Sequence, residues 1–524
     1  MTNDDRTMSR RDLLRAGGAG AILLGGGTLL AACGSSTVTT TSTSSIGKPK
    51  YGGRLHVAMT DGTSSDTLDA QALVTYVDQA RIIQLYNSLT ELDLDATVKL
   101  SLAEEVTPNA TATEWTVRLR SGVTFHDGKP LTADDVIFSF QRIMNPKSPK
   151  PGAAQLSSLD YKNLKKLDER TVSFPFVSPF SPFVQLIADY YYFVVPVGYN
   201  LQHPVGTGPF KFESFTPGQQ STFVRNENYW EAGLPYLDEV VISDFADETG
   251  QINALISGEV DAVDSLSAPS IVTLRSQGQK VVISDAGYYT PFTMRYDLAP
   301  FSDVRVRQAL RYVVDREAMI KLIFGGYGVI GNDLFSLYDP DYDHAIPQRV
   351  QDLDKARSLL KAAGHSDLHV ELVSSPIGPG VTDAAQIFAQ QARGAGITVG
   401  IQSVTPTDMF GPSYLKWAFA FDTWPPLPFL VNAGEGQVPG APYNESHFNS
   451  PRFNQLYTQA LATIDPAKQR ELIHEMQVIY WNEGAYIIPY FTPFIDGHSS
   501  KLQGVVPGKE LPLSNFGFKD FWFT

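Results

Sequence analysis

The chain has 524 residues, 43% of them apolar and 19% charged, with a formal net charge of −15. That length exceeds what one hydrophobic core organises, so two or more lobes are expected, and the apolar share excludes wholesale disorder. A surface this acidic repels phosphate backbones, which argues against nucleic acid as a partner.

At the amino terminus, Ser9-Arg10-Arg11-Asp12-Leu13-Leu14-Arg15 precedes an uncharged stretch from Ala16 to Ala32. This Gly-rich run is shorter than the about 20 residues of a membrane-spanning helix, so it reads as an export signal. The paired arginines point to the twin-arginine route. The signal closes with Leu30-Ala31-Ala32-Cys33-Gly34, small residues before a thiol able to accept a diacylglyceryl group. This resembles a bacterial lipoprotein box. Cys33 is the only cysteine, so disulfides, thiolate zinc sites and cysteine nucleophiles are excluded. Residues 1–32 are thus expected to be a signal peptide, and residues 33–50 a lipidated cysteine with a Ser/Thr-rich tether. No later segment approaches 18 uninterrupted apolar residues, which leaves the lipid on Cys33 as the expected attachment to the membrane.

From Tyr51 onward, short strands alternate with amphipathic helices, the pattern of an α/β protein. Arg54 to Met59 reads as a first strand running into a polar loop, Thr60 to Asp69. Glu114 to Arg120 alternates, with Trp115, Val117 and Leu119 on one face. Thr132-Ala133-Asp134-Asp135 is a capping box ahead of a helix carrying Val136, Phe140 and Ile143. Gly364 closes a helix containing Ala356, Leu359 and Leu360. Ser450-Pro451 and Asp465-Pro466 each open a helix, and Gly484 ends the second.

Several blocks together carry a family resemblance. Leu102-Ala103-Glu104-Glu105, Trp115 to Arg120 and Phe125-His126-Asp127-Gly128-Lys129-Pro130 come first. Gly206-Thr207-Gly208-Pro209-Phe210, Asn228-Tyr229-Trp230, Ser257-Gly258-Glu259-Val260-Asp261, Arg305 to Leu310 and Ala363-Gly364 follow in order. The chain resembles the family 5 extracellular solute-binding proteins, the dipeptide, oligopeptide and nickel binding proteins of ABC importers. The resemblance implies a two-lobed periplasmic-binding-protein-like α/β fold (type II, cluster C) with an extra subdomain inserted in the first lobe. It implies lobe I from residues 51–82, 205–285 and 495–524, the inserted subdomain from 83–204, and lobe II from 286–494. It further implies a small-molecule or peptide ligand, ABC permease and ATPase subunits as partners, and a monomer without cofactor.

Motifs for catalysis are missing. The sequence has no Gly-x-Ser-x-Gly elbow, phosphate-cradling loop or His-Glu-x-x-His helix, and no enzyme activity is expected. His365 and His369 have helical i, i+4 spacing, but Gly364 ends the helix before them, so no metal site is expected there. Ligand contacts are expected from Asp61 and Ser64 in the loop after the first strand. The crossover into lobe II offers Tyr289, Thr290, Met294 and Arg295, and a further segment offers Asp422 and Trp424. His203 precedes the Gly206–Pro209 crossover. Arg295 is a candidate bidentate clamp for a carboxylate, and the rings are candidate flat walls. Peptide-binding members of the family usually carry an aspartate shortly after the tryptophan. Here Trp424 is followed by Pro425-Pro426-Leu427-Pro428-Phe429, which leaves room for an anionic or aromatic solute. An oligosaccharide or a metal chelate is the further alternative cargo, and an extracellular hydrolase the alternative from another class.

Overall fold

The computed structural model describes residues 48–73 and 75–524. The expected export signal, Cys33 and most of the expected tether lie outside the described residues. Among the described residues, no helix is long and apolar enough to cross a membrane.

The strand Arg54–Met59 lies within a seven-stranded mixed sheet and runs parallel to Glu239–Asp244 and to Ala262–Val263. Leu55, Val57 and Met59 face the helix Tyr76–Leu85, meeting Val77 and Ala80 in one apolar cluster. Ala58 faces the opposite way, onto Leu255 and Leu274. Burial on both faces explains why this strand, like others at the centre of the sheet, carries apolar residues on both sides. The remaining strands are Phe210–Thr216, Gln220–Arg225, Lys280–Ser284 and Phe494–His498.

A four-stranded antiparallel sheet is built from Ala103–Pro108, Glu114–Leu119, Lys165–Asp168 and Thr171–Pro175. In Glu114–Leu119 the expected alternation holds, with Trp115, Val117 and Leu119 buried and Glu114 and Arg118 exposed. They pack on Val136 and Phe140 of the helix Ala133–Ile143. That helix begins where Asp135 accepts from the Thr132 backbone at 2.9 Å and from its hydroxyl at 2.8 Å.

A five-stranded sheet contains Phe292–Met294, His369–Ser374, Thr398–Ser403, Phe419–Phe421 and Tyr486–Ile487. Helices flank it with the punctuation expected from the sequence. Asp465 caps Pro466–Glu483 by accepting from the Lys468 N–H, and Gly364 ends Leu353–Ala363 in the left-handed region at φ 82°. His365 lies beyond that helix end and His369 begins a strand, so they do not share a helical face.

Two chain segments connect the seven-stranded and five-stranded sheets, one between Ser284 and Phe292 and one between Ile487 and Phe494. They run side by side, with the Thr492 N–H donating to the Tyr288 carbonyl at 2.8 Å. The four-stranded unit also docks on the five-stranded one. The Ser181 N–H donates to the Leu461 carbonyl at 2.9 Å, and Phe176, Phe180 and Phe183 share an apolar cluster with Leu456, Ala460 and Ile473.

Candidate functional site

Where these three units meet lies a cavity of ≈ 260 Å³. Each unit contributes to its wall. Tyr76 and Gln84 come from the helix over the seven-stranded sheet, and Asp189 and Tyr190 follow the short helix Phe183–Leu186. The segment Pro425–Pro428 comes from beyond the strand Phe419–Phe421, and Glu510 from the carboxy-terminal stretch. A second cavity of ≈ 450 Å³ lies across Pro426, Leu427, Pro428 and Glu510 from the first. These volumes bracket the lower end of typical ligand pockets, about 300–1,000 Å³.

The crossover segments form an aromatic cluster that is not part of either cavity's lining. Tyr289 and Trp424 exchange backbone hydrogen bonds at 3.2 and 2.9 Å, which ties the first crossover to the strand end carrying Asp422 and Thr423. The Tyr288 hydroxyl is hydrogen-bonded to that of Thr423. Rings of Tyr76 and Tyr288, from different units, both pack against Phe494, at 6.1 and 6.5 Å.

The loop after the first strand is held from beneath by a buried ionic cluster. Arg81 contacts Asp66 and Asp244, each at 2.6 Å, and Asp66 also accepts from the Thr63 N–H at 2.8 Å. This clamp presents Asp61 and Ser64 at the surface, with Asp61 in the left-handed region at φ 73°. Partial burial pushes the Asp61 carboxyl up.

The cavity's two lysines, Lys99 and Lys519, are paired with carboxylates, and several other carboxyls at or near the site have no cation. Burial pushes the Asp189 carboxyl up to about 7, against the opposing effect of hydrogen bonds from the Tyr190 and Tyr191 N–H groups. Burial and the neighbouring Asp189 charge lift Glu510 well above the ordinary range. Glu435 is pushed up to about 8 by burial and by Asp189, although it accepts from the Gln155 side-chain amide. Deeper in the five-stranded unit, burial raises Asp422 to about 7 and Glu445 well above its usual value. Asp422 accepts from the Tyr414 hydroxyl at 3.1 Å, and Glu445 from the Trp424 indole at 3.1 Å and from the Tyr486 hydroxyl.

The residues singled out in the sequence therefore occupy different layers. Asp61 and Ser64 are exposed and line neither cavity. Tyr289, Thr290, Met294, Asp422 and Trp424 are buried, Tyr289 accepting from the Asn432 amide at 2.9 Å. Arg295 is buried and bidentate on Asp297 at 2.8 and 2.9 Å, so its guanidinium is already committed. His203 stands exposed in a turn in which its N–H donates to the Asn200 carbonyl. His126 takes a structural part: Nδ1 accepts from the Gly206 N–H at 3.2 Å and Nε2 donates to the Gly208 carbonyl at 3.1 Å. Both bonds suit the neutral ring, and burial lowers its pKa to about 4.

Sequence reasoning did not find Gln84, Asp189, Glu435 or Glu510. The run Asp189-Tyr190-Tyr191-Tyr192, a carboxylate beside three tyrosines, was the one available signal.

Comparison with known proteins agrees with this architecture. The profile described as "Bacterial extracellular solute-binding proteins, family 5 Middle" matches residues 97–434. The glutathione-binding protein GsiB of Salmonella typhi is 27% identical over 517 residues, covering 88% of this chain and 94% of the relative. Among solved structures, the binding protein AgaA from A. tumefaciens R10, in complex with agropinic acid, superposes with a TM-score of 0.75 at 23% identity, covering 90% of this chain and 99% of that one. The oligopeptide-binding protein AppA from Bacillus subtilis, in complex with a nonapeptide, superposes with a TM-score of 0.74 at 21% identity, covering 91% and 100%. The chain belongs to the bacterial extracellular solute-binding proteins of family 5.

Proposed function

We propose that this family 5 solute-binding protein is a lipid-anchored receptor that encloses a small solute between its lobes and hands it to an ABC permease driven by ATPase subunits. The observation that carries this reading is the cavity at the meeting of three units, two of them joined by a pair of adjacent crossover segments. Paired connections constrain the rotation of one lobe against the other, and solute favours the closed form by its differential affinity for it. Binding is the whole task; no step of chemistry is assigned to the chain.

The sheet memberships support lobe I as residues 51–82, 205–285 and 495–524, the inserted subdomain as 83–204, and lobe II as 286–494. Cys33 bears the lipid, after export by the twin-arginine route, and the protein acts as a monomer. Asp61 and Ser64 are the first candidates among the sequence-derived contacts for touching the solute, because they are exposed in one loop and the Asp61 charge bears on the Tyr288 hydroxyl of the first crossover, although neither lines the two cavities. A peptide is the favoured cargo, since the GsiB relative is a glutathione-binding protein.

Native mass spectrometry of the Cys33→Ser protein, purified from its own host, tests the reading. A ladder of peptide masses supports peptide import, and one defined non-peptide mass transfers the role to that solute. Loss of membrane association in the same variant tests the anchor. Uptake unchanged after deletion of the chain's gene would overturn the importer assignment.

A further inference from the structure

The lining of the ≈ 260 Å³ cavity contains acceptors without donors. Asp189, only 7% exposed, has an Oδ1 with no hydrogen-bond partner. Gln84 is fully buried, and its Oε1 is also without a partner. Its amide orientation is settled by its neighbours: Nε2 donates to the Ala80 carbonyl at 2.8 Å and to the Phe516 carbonyl at 3.0 Å. Flipping the amide would set oxygen against two carbonyls, so Oε1 is the unsatisfied end. The Glu510 carboxylate forms no ion pair among the described residues, and it lies near enough to Asp189 to feel its charge.

The cavity's basic residues do not answer these acceptors. Lys99 is paired with Glu91 at 3.2 Å and Asp93 at 3.5 Å, and Lys519 with Glu231 at 2.5 Å. The expected anion clamp is spent as well, because Arg295 holds Asp297. Buried acceptors left without donors are costly, and unpaired buried carboxylates more so, unless something else meets them.

From this we infer that the cavity takes a solute bearing a protonated nitrogen, an alkylammonium or guanidinium group, held by Glu510, Asp189 and the Gln84 Oε1. The inference rests on the solute-binding reading and specifies the chemical class of its ligand. A primary ammonium carries three N–H donors and a guanidinium five, which suits a wall of acceptors contributed by separate units of the fold. Tyr76 and Tyr190, in the same lining, add ring faces that attract a cation. Cation entry also shifts the two carboxyls from the protonated toward the ionised form, so binding near neutral pH releases protons. The groups bearing on Asp189 and Glu510 include Tyr76, Tyr190, Tyr191, Tyr192 and Glu435, none of them basic.

The test is calorimetric titration of the ligand-free mature protein with putrescine, agmatine and lysyl-lysine as cations, glutarate as an anion and maltose as a neutral solute. It is run in two buffers of different ionisation enthalpy, on wild type and on the Asp189→Asn/Glu510→Gln double variant. The expected result is binding by at least one cationic probe with proton release, weakened about 100-fold in the variant and with the proton release gone. The variant keeps the side chains' shape and removes two ionisable groups whose charged form burial disfavours, so its own melting temperature should match or exceed wild type, which separates lost binding from lost folding. Cation binding unchanged in the variant would overturn the inference. Binding confined to glutarate or maltose would overturn it while leaving the solute-binding reading intact. Silence from every probe would also overturn it, and the solute-binding reading is then judged separately by the mass of co-purified solute.

Discussion

Asp333 and Asp189 are both buried aspartates, yet their surroundings differ in kind. Asp333 is fully enclosed and meets Arg316 at 2.7 and 2.8 Å and Arg349 at 2.7 Å, while also accepting from the Ile488 N–H at 3.0 Å. Despite complete burial, the guanidinium groups hold its carboxyl below the ordinary range. Asp189 has backbone N–H donors and no cation, and burial wins. Asp66, paired with Arg81, repeats the first pattern beneath the loop at Asp61, while Asp244 on the same guanidinium is raised by burial; Glu510 and Glu435 repeat the second pattern near the cavity. Saturated ionic clusters hold the lobes in shape; carboxyls without a cation occur inside the sheets, as Asp422 and Asp264 do, and also at the cavity, as Asp189 and Glu510 do. A charge with its partner built in belongs to the fold, and one without a partner is available to a ligand where it fronts a cavity.

The sharpest way to break this contrast is to remove the saturated member. Asp333→Ala leaves two buried guanidinium groups unpaired, and a loss of about 3–5 kcal/mol in denaturant unfolding is expected. A loss below about 1 kcal/mol would show that the cluster is not structural.

The second prediction concerns pH and the sign of each contribution. Asp189 has a raised folded-state pKa, so its penalty is absent at low pH, grows from about pH 4 toward about 7 and is constant above. The ligand-free protein should thus gain thermal stability on mild acidification, and Asp189→Asn should flatten that profile. Asp333 acts in the opposite direction: its stabilisation is full above the ordinary carboxylate range and falls away as pH drops through its depressed value. Melting curves across this range for the Asp189→Asn and Asp333→Asn variants resolve the two slopes; parallel profiles would erase the distinction.

Third, Trp424→Phe removes the indole donor to Glu445 while the Tyr486 hydroxyl still donates. A cost of about 1 kcal/mol in unfolding is expected. Smallest of all, Arg295→Ala breaks a pair whose partner Asp297 is exposed. Stability should change by less than about 1 kcal/mol, and affinity for any solute should not change. A large loss of affinity would return Arg295 to the site as a carboxylate clamp.

Local rules were enough to read individual elements. The Asp465-Pro466 start, the Gly364 stop and the alternation of Trp115, Val117 and Leu119 depend on residues within a few positions of each other, and each is found in place. The ordered blocks between Leu102 and Gly364 were enough for the family and, through it, for the two-lobed α/β class. The site was less legible. Aromatics and charges near a crossover look alike in sequence whether they front a cavity, as Tyr76 does, or fill a core, as Tyr289 and Met294 do. Arg295 looked like a free clamp although its partner Asp297 stands only two residues on, because the turn that brings this carboxylate back onto the guanidinium has no sequence signal of its own.

What the sequence determined by itself was therefore whatever neighbouring residues decide: the charge-free segment before Cys33, the caps, the strand alternation and the family blocks. Only tertiary structure decided that Gln84, Asp189 and Glu510, which lie in three distant stretches of the chain, line one cavity. It also decided which buried charges are paired. Both outcomes depend on chain closure and on the burial it brings. Burial changes the cost of a carboxylate by far more than any local sequence preference does.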